Sequence, residues 1–460
     1  MIDLYIIGLY LSLVLFAGLY NSSRATTLSG YGKLGNDLNN NIFILTATIF
    51  ASAVGGGTTF GITEKTFSNN LSFSYALIMT IPIDILIARY LVPRLAEYRE
   101  ATSIGEIVRK HYGAPLQIIT GFAAALISIG YLSAQISVSG IIFSFILKID
   151  YIYGVLVSYL VVIIYASFGG FRSIVINNTI QFMAMILAIP VLSVVGIYHV
   201  GFDNFIYSIP QNKYDFTEFS EDMLYAFISF SVMGFYPTLV QRILAGRNSE
   251  QITKAIYLKT GIYFLFIISL SINGLLASII LPGSEAKYSL TMLINTIIPE
   301  GFRGLILIGF LASVMSTADS DLNVASISIV NDVIKPLSER WHAKLNSKKL
   351  ILITKILSLM IGSSAILLVM KFKGVVDIVI FAAGLWAPIA LVPLIGILYG
   401  IVLTDLGFFL SSLCGTLGFI LFEHFYVDAK LSGVFVGTLS SALVFLSIAN
   451  TRFLSKNHKN

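Results

Sequence analysis

The sequence is poor in charge and in cysteine. Only 12% of its 460 residues are charged, about half of the roughly 25% that is usual in soluble proteins. In contrast, 56% are hydrophobic and the mean hydropathy is +0.86. This composition is typical of an integral membrane protein and argues against a cytosolic enzyme, a nucleic-acid-binding protein or a secreted disulfide scaffold. The single cysteine, Cys414, permits neither an intrachain disulfide nor a cysteine metal cluster.

Polar domains and catalytic motifs are missing as well. No polar stretch is long enough to fold as a soluble catalytic or nucleotide-binding domain. The sequence lacks a G-x-x-x-x-G-K-[ST] loop, and its five histidines occur singly, without H-E-x-x-H spacing. We therefore expect a protein that is not an enzyme and has no ATP-driven or metal-dependent hydrolytic activity.

Apolar segments that could span a bilayer recur along the whole chain. A spanning helix needs about 20 mostly apolar residues. We predict thirteen spans, at 3–20, 42–66, 71–92, 114–146, 151–168, 173–199, 221–240, 255–281, 303–333, 350–370, 374–400, 404–424 and 430–451. The first lacks the basic start of a signal peptide, so we interpret it as a retained helix. The predicted fold class is an all-α integral membrane protein.

The basic residues predict the orientation of these spans. With the N-terminus outside, the inner segments hold 20 of the 29 Lys and Arg residues and the outer segments hold eight. An excess of basic residues marks cytoplasmic loops. We therefore expect an extracellular N-terminus and a cytoplasmic C-terminus in a plasma membrane, with a bacterial inner membrane as the setting that fits the lack of a targeting segment.

Two spans contain residues that weaken a helix. The second span carries Gly55, Gly56 and Gly57 next to Thr58, and each glycine costs roughly 1 kcal/mol relative to alanine. The seventh carries Gly234 and, three residues later, a proline. Small residues also serve close helix packing, which is the alternative explanation. The breaks fall five spans apart, as expected for two inverted five-helix repeats with discontinuous first helices.

This spacing predicts how the chain is organised. The predicted parts are a peripheral first helix with a cytoplasmic linker (1–41), a first repeat (42–199), a second repeat (200–400), and two peripheral helices with a cytoplasmic tail (401–460).

The ninth span carries hydroxyl groups along one face. Ser313, Ser316, Thr317 and Ser320 follow the i, i+3, i+4, i+7 spacing of a helix face. Such oxygens suit a hard cation, although Ser and Thr can instead hydrogen-bond within their own helix. An acidic residue inside a span indicates function, and Asp319 lies here. We expect the neighbouring Asp321 to lie off this face and to be solvated.

These segments together resemble the sodium/solute symporter family. The supporting motifs are Val54-Gly55-Gly56-Gly57, Phe168-Gly169-Gly170-Phe171, Gln241-Arg242 with Ala245, and Met315-Ser316-Thr317-Ala318-Asp319-Ser320. The glycine motif is most similar to that of the choline-transporter-like branch. The resemblance covers nearly the whole chain and implies a LeuT-type fold with a 5+5 inverted-repeat core and sodium as the coupling ion.

The resemblance also implies where cations bind. Sodium would be bound by the carbonyl oxygens of Ala51, Val54 and Ser313 and by the hydroxyls of Ser316 and Thr317. Many relatives have an aspartate in core helix five at the position of Asn178, where it contributes to a second cation site. Here Asp319 stands at a serine position of that site, so a candidate second cation or proton site comprises Asp319, Ser320 and Asn178. The alternative is that the second site is lost and Asp319 is a gating or protonatable group.

The solute should bind beside the two breaks. The candidate residues are Gly55, Gly56, Gly57, Thr58, Asp84, Gln135, Phe230, Gly234 and Tyr236. Gln135 could instead serve a helix contact, and Asp84 could be part of a structural ion pair, with only Arg89 clearly within its reach. No Lys or Arg is expected in the middle of a core span, so no clamp for a solute carboxylate is evident.

We interpret the chain as a sodium-coupled symporter that imports a small polar organic solute, such as proline, another amino acid or a choline- or betaine-like compound. The expected partners are the solute, sodium and the lipid bilayer, without nucleic acid, and the expected functional unit is a monomer. Two alternatives are a proton-coupled transporter of the same fold and a solute sensor without net transport.

Overall fold

The computed structural model describes residues 2–22, 41–168, 170–214, 219–246, 248–341, 345–371, 375–426 and 432–457. Within these ranges the regular structure is entirely helical, which confirms the predicted all-α class. The predicted linker, apart from Asn41, and Gly169 lie outside the described residues. The helices are α1 (Ile2–Ser22), α2 (Ile42–Ala53), α3 (Gly56–Ser68), α4 (Ser72–Tyr98), α5 (Ile104–Tyr112), α6 (Ala114–Leu147), α7 (Tyr151–Phe168), α8 (Phe171–Val200), α9 (Phe202–Ser208), α10 (Phe219–Met233), α11 (Pro237–Ala245), α12 (Ser249–Ile280), α13 (Ser289–Ile297), α14 (Arg303–Arg340), α15 (Ser347–Lys371), α16 (Ile378–Leu398), α17 (Asp405–Phe425) and α18 (Gly433–Asn457).

Many of these helices can cross a membrane. In the described part of the chain, nine are long and apolar enough, and two bent pairs, α2 with α3 and α10 with α11, raise the number to eleven. Two shorter apolar helices occur at Ile2–Ala17 and Tyr151–Ile163. The count of thirteen spans and the boundaries of the repeats stay predictions.

The orientation also stays a prediction, and two of the inner basic residues that supported it are buried. Arg242 belongs to α11 and Lys259 to α12, and both side chains are buried. They add no exposed charge to the cytoplasmic side. Lys213, one of the eight outer basic residues, is buried as well, so 18 inner basic residues are left against seven outer ones.

Polar side chains fix where several helices begin. Asn41 accepts hydrogen bonds from two backbone N–H groups in the first turn of α2, and Thr404 accepts one at the start of α17. Asn248 accepts one from the N–H of Glu250, so α12 begins at Ser249, six residues before the predicted span. The predicted apolar span begins later because the first turn of α12 is charged.

Among the described helices, three contain a π-helical stretch just before a proline. These stretches are Ile87–Leu91, Ser328–Ile334 and Ala387–Leu391, which precede Pro93, Pro336 and Pro393. Proline lacks the N–H that would bond four residues back and its ring crowds that carbonyl, so the helix widens locally. In α16 the freed Ile389 carbonyl accepts the Ser412 hydroxyl of α17 at 2.9 Å, and the Pro388 carbonyl accepts the Ser441 hydroxyl of α18 at 2.8 Å.

Helix α14 is the centre of the molecule. It is buried along almost its whole length and packs against α1, α2, α6, α8, α11 and α15. A helix buried all round normally carries apolar residues. The polar residues of α14 are buried too, so each must find a partner inside the protein. The polar residues of α14 are therefore the first place to look for a site that binds ions or solutes.

Candidate functional site

The first break lies between α2 and α3, whose axes differ by 55°. Helix α6 passes so close that a Cβ on Gly55 would lie 2.6 Å from Gln135 Oε1, and one on Gly56 would lie 2.7 Å from Val138 Cβ. A Cβ on Gly57 would meet nothing nearer than 4.0 Å. Two glycines are therefore required by close approach of α6, whereas the third is not.

Gln135 stabilises this break. Its Oε1 accepts the Gly56 N–H at 2.6 Å, at the start of α3 where backbone donors lack partners within the helix. Its Nε2 donates to the Tyr131 carbonyl at 3.2 Å within α6. The sequence left open whether this residue contacts a helix or a solute, and the structure shows the helix contact.

The second break lies between α10 and α11, which are bent by 44°. Tyr236, at the start of α11, donates its hydroxyl hydrogen to the Ser52 carbonyl near the end of α2 at 3.1 Å. The two breaks are thus in direct contact. A Cβ on Gly234 would make only ordinary contacts, at 3.6 Å or more, so this glycine is not required by crowding.

A cavity of about 140 Å³ opens between the breaks. It is smaller than the roughly 300–1,000 Å³ typical of pockets for drug-sized ligands. Eight of the nine residues predicted to bind the solute line it, namely Gly55, Gly57, Thr58, Asp84, Gln135, Phe230, Gly234 and Tyr236. Gly56 is the exception, because its N–H faces Gln135. Lining residues that the sequence did not indicate include Thr80, Tyr131, Lys259, Tyr263 and Asp321.

Oxygen atoms cluster beside the cavity, where α14 meets the end of α2. The Ser316 and Thr317 hydroxyls donate to the Ala51 carbonyl at 2.8 and 3.2 Å and lie 3.0 and 3.2 Å from the Ser313 carbonyl. Four of the five predicted sodium ligands are therefore together. The fifth, Val54, ends α2 three residues later, is buried, and is not a hydrogen-bond partner of Ser316 or Thr317.

This oxygen cluster fits a hard cation. Each hydroxyl keeps lone pairs beside the Ala51 carbonyl while its hydrogen can point to the Ser313 carbonyl of its own helix. Carbonyl and hydroxyl oxygens are the donors that hard cations prefer. Ser313 Oγ lies 3.4 Å from Thr59 Oγ1, so a further pair of hydroxyls stands nearby.

Sequence comparison identifies the family of this chain. A family model described as "Sodium:solute symporter family" matches residues 39–415, more than three quarters of the chain. The chain belongs to the sodium:solute symporter family. It is therefore a sodium-coupled solute transporter and not an enzyme, as the sequence predicted.

Curated relatives and solved structures agree with this assignment. The high-affinity proline transporter PutP of Bacillus subtilis is 24% identical over 379 residues, 77% of this chain and 78% of that protein. A sodium/proline symporter of Staphylococcus aureus is 23% identical over 384 residues, 78% of this chain and 73% of that protein.

A substrate-bound outward-open structure of a Na⁺-coupled sialic acid symporter covers 98% of both chains, with a TM-score of 0.82 and 16% identity. MhsT in complex with L-phenylalanine covers 88% of this chain and 98% of that chain, with a TM-score of 0.54 and 17% identity. These structures confirm the LeuT-type fold of this symporter. The resemblance to the choline-transporter-like branch stays a prediction.

A buried ion pair in the symporter's cavity corrects the expectation for Asp84. Lys259 Nζ lies 2.6 Å from Asp84 Oδ2, and the two side chains are only 9% and 15% exposed. Lys259 also lies 4.9 Å from the centre of the Tyr263 ring. Arg89 is therefore not the partner of Asp84. No Lys or Arg was expected in the middle of a core span, but Lys259, at position 11 of the 32-residue α12, brings an ammonium into the cavity. Sequence spacing could not reveal a partner 175 positions away.

Asp321 is a second correction. It is fully buried, accepts the Thr238 hydroxyl at 2.6 Å and lines the cavity, so the expectation of a solvated side chain was wrong. Asp321 follows Thr317 by four residues, one turn of the helix, and therefore faces the same side. This spacing was visible in the sequence.

The candidate second cation site contains a buried guanidinium. Asn178 Nδ2 donates to Ser320 Oγ at 3.4 Å, and Arg242 Nη2 donates to the same oxygen at 2.6 Å. The Ser320 hydroxyl itself donates to the Ser316 carbonyl at 2.7 Å. With two donors accepted, this oxygen has no lone pair left for a cation. Asn178 and Ser320 therefore lie together, and Asp319 precedes Ser320 in α14. They are grouped around the guanidinium of Arg242.

Proposed function

We propose that this symporter binds sodium at the oxygen cluster and the solute in the adjoining cavity, and imports both together. The proposed sodium ligands are the carbonyl oxygens of Ala51, Val54 and Ser313 and the hydroxyls of Ser316 and Thr317. The observation that carries the proposal is that Thr317 belongs to both places, because it contacts the Ala51 carbonyl and also lines the cavity.

This shared residue gives coupling a physical basis. A cation that binds Ala51 and the α14 hydroxyls holds the end of α2 against α14 and thereby fixes one wall of the cavity. The Tyr236–Ser52 hydrogen bond extends this constraint to the second break. Sodium and solute then favour the same conformation, which is the requirement for coupled transport.

The nature of the solute is a finer proposal. The small cavity, with hydroxyl, amide and charged side chains at its walls, suits a compact polar organic solute. Two of the relatives are named for proline, which supports an amino acid or a related metabolite.

A double substitution tests the sodium site. Ser316→Ala/Thr317→Ala removes both hydroxyls, and Ser326→Ala is the matched control because its buried hydroxyl bonds Ser358 in α15, away from the cluster. We expect sodium, relative to potassium, to raise the unfolding temperature of the wild type and of the control but not of the double variant. Unchanged sodium stabilisation of the double variant would refute the site. Equal solute uptake in both salts would refute sodium coupling and favour coupling to protons.

We also propose an extracellular N-terminus and a cytoplasmic C-terminus. A Cys414→Ser background would be used to carry one new cysteine, at Lys148 in a predicted outer loop or at Lys348 in a predicted inner segment. A membrane-impermeant maleimide should label intact cells only at position 148. Labelling only at position 348 would reverse the orientation.

We further propose a monomer as the functional unit. Uptake by a reconstituted preparation with one chain per vesicle should match uptake at higher loading when expressed per chain.

A further inference from the structure

Asp321 has one carboxylate oxygen without a hydrogen-bond partner among the described residues. Its Oδ1 accepts the Thr238 hydroxyl at 2.6 Å, whereas Oδ2 is buried and unpaired. The side chain is fully buried and lines the cavity between the breaks. A buried polar atom normally has a partner, and a buried carboxylate is among the most costly groups to leave unsatisfied. The missing partner of Asp321 Oδ2 is therefore expected to come from the contents of the cavity.

The charges around the cavity show what kind of partner is needed. Asp84 and Lys259 neutralise each other at 2.6 Å. The guanidinium of Arg242 donates to Ser320 and Gln241 and lies 4.6 Å from the centre of the Phe171 ring. Neither basic side chain donates a hydrogen bond to Asp321. The cavity lining therefore contains two carboxylates, those of Asp84 and Asp321, but only one lysine, Lys259. This excess of one carboxylate favours a cationic hydrogen-bond donor in the cavity.

Aromatic rings support the same conclusion. The Tyr131 and Tyr236 rings pack edge to face, with centres 5.5 Å apart, and both line the cavity. The face of a tyrosine ring attracts a desolvated cation. A small cationic group in the cavity would therefore have both a carboxylate and tyrosine rings within the same lining.

We propose that Asp321 Oδ2 accepts a hydrogen bond from a protonated primary or secondary amine of the solute, so that the substrates are small ammonium-bearing compounds such as amino acids. This inference rests on the proposed function, in which the solute occupies this cavity. A quaternary ammonium has no N–H and leaves the oxygen unsatisfied. A neutral sugar brings no positive charge to the carboxylate.

Matched pairs of compounds test the proposal on the unaltered 460-residue chain. The pairs are L-proline with its N,N-dimethyl betaine, glycine with glycine betaine, and ethanolamine with choline, together with the remaining amino acids and with glucose. Unfolding temperatures are measured in sodium and in potassium, because a ligand that binds the folded state raises stability. We expect stabilisation in sodium by at least one N–H compound, and a clearly smaller shift both from its permethylated partner and from glucose. Stabilisation by no amine, or equal stabilisation by a permethylated partner, would overturn the proposal.

Two variants locate the effect. Asp321→Asn keeps the shape but loses the charge, and we expect roughly 10- to 100-fold weaker binding of the stabilising amine, the range for loss of a charge-assisted hydrogen bond. Asp332→Asn is the control, because Asp332 is also a buried carboxylate of α14 with one unpaired oxygen, but it bonds Ser103 and Gln117 and does not line the cavity. Amine binding that survives Asp321→Asn, or falls equally in both variants, would contradict the role of Asp321.

The two proposals fail in different ways. If glucose or choline stabilises the protein in sodium alone, sodium coupling stands and the amine assignment is wrong. If an amine stabilises equally in sodium and in potassium and its binding is lost in Asp321→Asn, the amine assignment stands and sodium coupling is wrong.

Discussion

The three consecutive glycines offer a test in which each substitution serves as a control for the other two. Alanine is introduced singly at Gly55, Gly56 and Gly57, and thermal unfolding is measured without solute, in sodium and in potassium. All three changes add one methyl group, so differences must come from the surroundings. The structure predicts three different outcomes.

Gly56→Ala should be the most harmful. Its methyl group would lie 2.7 Å from Val138 Cβ, an atom attached directly to the backbone of α6, so only a shift of the helix relieves the contact. Such overpacking costs about 1–3 kcal/mol.

Gly55→Ala should be intermediate. Its methyl group meets the end of the Gln135 side chain at 2.6 Å, and this side chain can move. Moving it breaks the hydrogen bond from the Gly56 N–H, a loss of about 1 kcal/mol.

Gly57→Ala should be neutral or stabilising. Its methyl group has open space, and replacing a helical glycine gains about 0.4–1 kcal/mol by restricting the unfolded chain. Equal destabilisation by all three changes would refute the conclusion that close approach of α6 requires only two of the glycines. Because Gly57 lines the cavity, its variant can still lose solute uptake.

Three further predictions concern buried charges. Lys259→Met should destabilise the protein by about 3–5 kcal/mol because it leaves Asp84 buried without a partner. The double variant Asp84→Asn/Lys259→Met should recover much of this stability in thermal unfolding. Equal loss of stability in the single and double variants would contradict the ion pair. Arg242 donates a hydrogen bond to the Ser320 oxygen, so this oxygen should not bind a second sodium ion. Uptake should therefore depend on sodium concentration as a simple hyperbola, with one sodium ion per solute. A sigmoidal dependence would contradict this. Lys213→Met should lower the unfolding temperature, because the Lys213 ammonium donates to three carbonyls at the end of α3, and no change would show that these bonds contribute little.

Much of the fold followed from local sequence patterns. Apolar length predicted the spanning helices, and glycine and proline predicted both breaks, because these signals depend on residues that are neighbours in the chain. The hydroxyl face of α14 was predicted for the same reason, since helical periodicity states which side chains point together.

The partners across helices were harder to predict. Periodicity gives the face of a helix but not the helix it meets, so the Asp84–Lys259 pair and the contact of Arg242 with Ser320 could not be derived. Asp321 is different, because its spacing from Thr317 already placed it on the hydroxyl face. We expected it to lie off that face and to be solvated, and both parts of this expectation were wrong.

The proline-containing helix α16 has a consequence for how the chain is made. The Ile389 and Pro388 carbonyls are satisfied by Ser412 and Ser441, which belong to helices synthesised later. A nascent chain that ends after α16 must therefore hold two carbonyls without these partners in the bilayer, where each unsatisfied group costs several kcal/mol. The last two helices thus complete the insertion of α16, and truncation before Ser412 should leave a chain that membrane quality control removes.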